Sequence, residues 1–112
     1  YDGIAGLADE TPDSIFHKST MHCIGGLTLQ AGKFTDETGM CRFDLFDGES
    51  VYMKYEGEGT GGVGGTGTFE IIKGTGKYEN ITGSGFSSRQ NLKSKAPGFS
   101  TSMNQMSGEY KY

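Results

Sequence analysis

Apolar and polar residues alternate most cleanly in two adjoining stretches, 40–46 and 50–56. A period of two marks a half-buried strand, because successive side chains of a strand point to opposite faces. Asp47-Gly48 lies between the two stretches and supplies the turn. A three-residue loop sets Cys41, Phe43 and Leu45 on the face of Val51, Met53 and Tyr55, whereas a two-residue loop splits those rows between faces. The apolar pattern therefore selects the three-residue form. Arg42, Asp44, Phe46, Tyr52, Lys54 and Glu56 then look outward.

The same reading extends along the chain. Residues 68–72 and 81–88 predict two further strands, joined by a tight turn at Lys73-Gly74-Thr75-Gly76 in which Gly76 or Gly74 takes positive φ. Gly83 and Gly85 share one face of the second strand and leave room there for a bend or a large neighbour. Residues 1–8 suggest a short first strand, 9–13 an acidic turn, and 14–29 a long extended stretch with a bulge or bend at Gly25 and Gly26. Loops are expected at 31–39, at the glycine-dense 58–65, which is expected to be mobile, and at 91–99 with Lys93, Lys95 and Pro97. A closing strand follows at 102–112, with Met106, Tyr110 and Tyr112 on one parity. No stretch keeps helical spacing over ten residues. The pattern predicts an all-β fold: one small antiparallel β-barrel of six to eight strands, or a sandwich. A barrel has no free edges to protect.

Gly74-Thr75-Gly76-Lys77-Tyr78, followed by Ile81-Thr82-Gly83, resembles the Gly-Thr-Gly-x-aromatic segment of the allene oxide cyclase and dirigent barrels. The wider spacing, from His22-Cys23-Ile24-Gly25 through Cys41 and Asp47-Gly48 to the Gly-Thr-Gly turn, is similar to that of small bacterial proteins thought to share that barrel. The resemblance spans residues 21–90 and favours a barrel over a sandwich. It implies a hydrophobic ligand, since such barrels include cyclases that bind a hydrophobic epoxide and proteins that steer phenoxy-radical coupling. A turn motif speaks to fold rather than chemistry, so no catalytic residue is carried over from the resemblance.

With 112 residues the chain is read as one domain, 1–112, that buries a thin but adequate core. The 20 glycines and 33% hydrophobic content stay clear of disorder because 7 Phe and 6 Tyr can build that core. A net charge of −4 argues against nucleic acid as a partner. The charge is uneven: residues 1–58 carry 11 acids and 4 bases (−7), and 59–112 carry 3 acids and 6 bases (+3). Scattered solvated charge explains this, and so does a dipole that favours head-to-tail association. No apolar run reaches the length of a membrane span. The first residue is Tyr1 rather than Met, so an upstream segment is expected. Two cysteines in a glycine-rich polar β chain fit a secreted or periplasmic protein.

Candidate chemistry is sparse. Cys23 and Cys41 become cross-strand neighbours, and disulfide partners, if the chain turns back near Gly32; otherwise they are two buried thiols. His22 and Cys23 are adjacent and so point to opposite faces, which leaves no tetrahedral metal set, and the acidic turn at Asp44, Asp47 and Glu49 lacks the calcium-loop pattern. No Gly-Thr-Gly step opens a helix, so none makes a phosphate loop, and no cofactor is expected. Inward positions that suit an apolar ligand are Phe43, Met53, Tyr55, Phe69, Phe86 and Tyr110, within an interior that also holds Met21, Leu27, Leu29, Leu45, Val51, Ile71 and Met106. One inward titratable pair can be built: if the strand through Cys23 runs back to Ser14, His17 stands level with Asp47 at the rim, as a general acid or base or as a weak surface pair. Three roles follow as expectations: a barrel that binds a small hydrophobic molecule, a cyclase or isomerase of such a molecule, or a self-assembling dimer or trimer with an apolar outer patch around Ile24, Phe46 and Tyr52.

Overall fold

Seven strands follow one another in chain order as a single antiparallel meander. They are β1 (Asp2–Gly6), β2 (Thr20–Gly26), β3 (Lys33–Asp44), β4 (Ser50–Thr60), β5 (Gly64–Gly74), β6 (Thr82–Leu92) and β7 (Thr101–Lys111). The structure, a computed structural model, describes residues 1–9, 11–94 and 96–112. Glu10 of the expected acidic turn and Lys95 of the expected loop 91–99 lie outside the described residues. Among the described residues there is one 3₁₀ turn, Gly76–Tyr78, no α-helix, and no helix long and apolar enough to cross a membrane. The sheet curls into a half-barrel whose edges, β1 and β7, no ladder joins among the described residues.

The β3–β4 hairpin has the register that the apolar rows require: Phe43 pairs with Val51 and Cys41 with Met53, around a loop closed by the Leu45 N–H donating to the Glu49 carbonyl at 2.8 Å. Elsewhere the strands run further than local composition suggests. β3 begins at Lys33, because Ala31 and Gly32, at φ 52° and 78°, complete a two-residue turn between reciprocal Gln30 and Lys33 backbone bonds. The expected loop 31–39 is thus mostly strand. So is 58–65, where β4 runs to Thr60 and β5 restarts at Gly64; its glycines pair across the sheet, Gly57 with Gly67 and Gly59 with Gly65. β6 likewise runs on to Leu92. In contrast, the stretch before Thr20 is not extended. Residues 11–18 form turns, with Lys18 at φ 59°, and the strand never reaches His17. Gly25 and Gly26 make no bulge; the sheet irregularities fall between Phe34 and Glu37 on β3 and beside Tyr52–Met53.

The concave face is built in rows. Cys23, Cys41, Met53, Ile71, Gly83 and Tyr110 form one row, and Gly25, Gly39, Tyr55, Phe69, Gly85 and Gly108 the next. Large side chains lie over the glycines beside them: a Cβ on Gly85 would meet Phe69 Cζ at 2.6 Å, and one on Gly83 would meet Ile71 Cδ1 at 2.8 Å. Curling a sheet crowds its inner face, and alternating large residues with glycine relieves that crowding. Phe43, Leu45, Val51, Met53, Ile71, Tyr78 and Ile81 form the buried core at one end. Three expected interior residues fall outside it: Leu27 and Leu29 lie beyond the end of β2, Leu29 being 56% exposed, and Phe86 is 69% exposed because Gly85 and Ser87 take the inward parity on either side of it.

Candidate functional site

Two features occupy the concavity, and they sit at different heights. The first is polar. Glu37 on β3 is 7% exposed, and its carboxylate accepts two bonds from Arg89 on β6, at 3.0 Å from Nη1 and 3.3 Å from Nη2. On a flat sheet with strands ~4.8 Å apart, β3 and β6 would stand ~14 Å from one another. They meet here because the sheet curls and because Gly57, Gly59, Gly65 and Gly67 leave β4 and β5 bare beneath the two side chains. A Cβ on Gly57 would lie 2.9 Å from Glu37 Oε1. The bulge on β3 also turns Phe34 inward, and Arg89 lies over its ring at 5.8 Å.

Tyr1 completes the cluster by donating its hydroxyl hydrogen to Glu37 Oε2 at 2.8 Å, while its oxygen lies 2.6 Å from the Tyr55 oxygen. A carboxylate only accepts, so Tyr55 donates to Tyr1 in turn. Burial, then the contacts with Tyr55 and Glu37, push the Tyr1 hydroxyl far above the usual phenol range. Burial also raises Tyr55, against the lowering effect of its bond to Tyr1. Both hydroxyls therefore stay neutral through the physiological range. With its carboxylate held by Arg89 and Tyr1, Glu37 is a brace between strands rather than a free base.

The second feature is an open groove on the concave face, between the β1 end of the sheet and β7. Its floor is apolar: Met21, Phe43, Met53, Phe69, Ile71 and Met106. One end is closed by the turn segment 7–19, whose Phe16 ring meets Phe43 edge-on at 5.1 Å and Tyr110 at 5.3 Å. The Ile15 N–H donates to the Tyr110 hydroxyl at 3.1 Å, tying this strap to β7. Of the residues expected to contact a ligand, Phe43, Met53, Phe69 and Tyr110 border the groove. Phe86 borders it too, but its side chain lies on the other face of the sheet from Phe69. Tyr55 does not line it, and its hydroxyl is engaged by Tyr1.

Cys23 and Cys41 are paired in register across β2 and β3 and joined as a disulfide. His17 and Asp47 border one shallow hollow of about 310 Å³, yet no hydrogen bond or ion pair joins them. His17 Nδ1 accepts the Asp9 N–H at 3.2 Å. Asp47 accepts the Tyr78 hydroxyl at 2.7 Å and the Glu49 N–H at 3.0 Å, and these bonds hold its carboxyl below the usual range. Asp47 is a turn residue that locks the 3₁₀ segment to the β3–β4 loop.

The sequence reading missed Glu37, Arg89 and Tyr1. Glu37 shares the parity of Cys41 and Phe43, and Arg89 that of Gly83 and Gly85, so strands carried three residues further at the first and one at the second would have set opposite charges on the inner face. Comparison with protein-family models, with curated proteins and with solved structures finds no match to this chain.

Proposed function

We propose that this chain is a binding module whose half-open concavity receives a small, predominantly apolar molecule. The observation that carries the reading is the groove itself: Met21, Phe69 and Met106 on the curled sheet are only partly covered, beside a core of Phe43, Met53 and Ile71 that is buried. Pockets for small molecules combine an apolar lining with a few polar groups, here Ser87, Asn104 and the Tyr110 hydroxyl. The resemblance to allene oxide cyclase and dirigent barrels implies the same ligand class. A catalytic role has less support, since the best-placed carboxylate, Glu37, is already bonded to Arg89 and Tyr1. The Cys23–Cys41 bond supports an oxidising compartment, such as the periplasm or the cell exterior.

The methionines provide the test. Met21 and Met106 line the groove partly exposed and Met53 lies buried directly beneath it, whereas Met40 is 51% exposed on the other face of the sheet. With ¹³C-methyl methionine and the neutral probe N-phenyl-1-naphthylamine, the three inward methyl signals should shift saturably while that of Met40 stays in place. Unmoved inward signals at the solubility limit of the probe would overturn the reading.

A further inference from the structure

The end of the sheet remote from the strap is built as one rim. Lys33, Thr60, Gly64, Gln90 and Met103 pair in turn across β3 to β7 and form a single row. The connections beyond that row are tied to their neighbours: the Gly61 N–H donates to the Gly32 carbonyl at 2.8 Å, and the Asn91 N–H to the Val63 carbonyl at 2.9 Å. Leu29 reaches over Gly61, where a Cβ would lie 3.1 Å from its Cδ2. Ala96-Pro97-Gly98-Phe99 forms its own turn, closed by the Phe99 N–H donating to the Ala96 carbonyl at 3.2 Å, with Gly98 at φ 79°. Proline followed by a left-handed glycine is the chemistry such a turn requires, so the turn itself fixes Phe99, 75% exposed, at the tip.

The two ends of the sheet differ in charge. Residues 27–33, 60–64 and 90–103 contain Lys33, Lys93 and Lys95 and no acid. At the opposite end, residues 7–19, 44–50 and 73–81 contain seven acids and three lysines. Strands of 11 residues reach ~36 Å, so they run along the 44 Å axis of a molecule 25 Å by 21 Å across. The uneven charge of the sequence is thus a dipole along the strands. Asp36, Glu37 and Glu58 come next below the row, and two of them are engaged: Asp36 Oδ1 accepts the Thr28 N–H at 2.9 Å, and Glu37 is held by Arg89. Lys33 and Lys93 enter no ion pair among the described residues. Beside these lysines Leu29, Val63, Leu92, Phe99 and Met103 stand exposed.

We propose that this end docks the molecule onto the surface of an anionic lipid bilayer, with Val63, Leu92 and Phe99 entering the headgroup boundary and the lysines meeting lipid phosphates. A membrane-surface site combines apolar side chains, buried by ~5–10 Å, with cations at headgroup level. Carboxylates there would be repelled, and none lies on these connections. A second copy of the chain would offer its acidic end to the lysines, but the apolar side chains between them would then face carboxylates. The proposal goes beyond the small-molecule reading, since Leu29, Val63, Leu92 and Phe99 all lie outside the groove.

The chain has no tryptophan, so a single introduced one reports on its own position. Phe99→Trp marks the lysine end, and Phe46→Trp, at another exposed position, marks the acidic end. On vesicles of equimolar phosphatidylcholine and phosphatidylglycerol at low ionic strength, the emission of Phe99→Trp should move to shorter wavelength and be quenched by brominated acyl chains. That of Phe46→Trp should stay unchanged. Replacing the vesicles by pure phosphatidylcholine, or adding Lys33→Gln and Lys93→Gln to Phe99→Trp, should each weaken binding by about tenfold or more. Raised salt should release the protein. No response, an equal response at both ends, or equal affinity for neutral vesicles would overturn the proposal. So would a short-wavelength Phe99→Trp emission in vesicle-free protein that sediments as a dimer, which would assign the tip to a second copy. The methionine shifts with N-phenyl-1-naphthylamine, measured without vesicles, test the groove independently, so either reading can fail while the other stands.

Discussion

Arg89→Met keeps the reach of the side chain over Phe34 but removes both guanidinium bonds to Glu37. Glu37 is then left 7% exposed with the Tyr1 hydroxyl as its remaining side-chain donor. Breaking a buried ion pair from one side costs ~3–5 kcal/mol, because the other charge stays desolvated. The Arg89 side chain is 26% exposed, so water can approach, and we expect about 2–3 kcal/mol after that screening. For a domain of this size the loss corresponds to a fall in Tm of roughly 8–12 °C. Glu37→Leu combined with Arg89→Met removes both charges and should recover most of the loss. Urea unfolding followed by near-ultraviolet circular dichroism measures all three variants, and the coupling between the single changes reports the brace directly. A cost below ~0.5 kcal/mol for Arg89→Met, or strict additivity in the double variant, would refute the view that this pair holds the curl.

Gly76 sits at φ 54° with the Glu49 carboxylate 2.6 Å from where a Cβ would be, so Gly76→Ala should cost ~1–3 kcal/mol by urea unfolding. Reducing the Cys23–Cys41 bond frees a loop of separation 18 and should cost ~3 kcal/mol, while alkylation of the unreduced, denatured protein should leave its mass unchanged. The Tyr78 bond depresses Asp47, so the unfolded state binds the proton first as pH falls; stability from this bond is complete above the ordinary carboxylate range and is lost below it, and Tyr78→Phe should flatten that acid limb. Tyr1 and Tyr55 are shifted the other way, so their contribution holds below pH ~10 and falls as pH rises beyond it, an alkaline limb that Tyr55→Phe should reduce.

Strand existence and the sense of the β3–β4 register were legible because alternation is a local signal, and Cys41, Phe43, Val51 and Met53 carry it strongly. Strand length was not. Gly57, Gly59, Gly65 and Gly67 read as loop residues because glycine is rare in strands, yet here they are the floor beneath Phe34, Glu37 and Arg89, and that requirement exists only once the sheet has curled. The strap was missed for a similar reason: Ile15 and Phe16 look like strand residues, and only the open gap between β1 and β7 gives them a core to cover. The candidate site divides in the same way. Its apolar floor follows from parity along β3–β5, whereas the cluster of Tyr1, Glu37, Tyr55 and Arg89 joins residues up to 88 positions apart by number and depends on curvature.

The openness of the half-barrel is most directly tested by hydrogen exchange at single-residue resolution along Thr101–Lys111 in the free protein. An edge strand bonded only to β6 should show alternation, with every second amide protected and its neighbours exchanging at rates near those of an unstructured chain. Protection at all of these amides would mean that β7 is paired on both sides, contradicting the open groove and the ligand reading that rests on it.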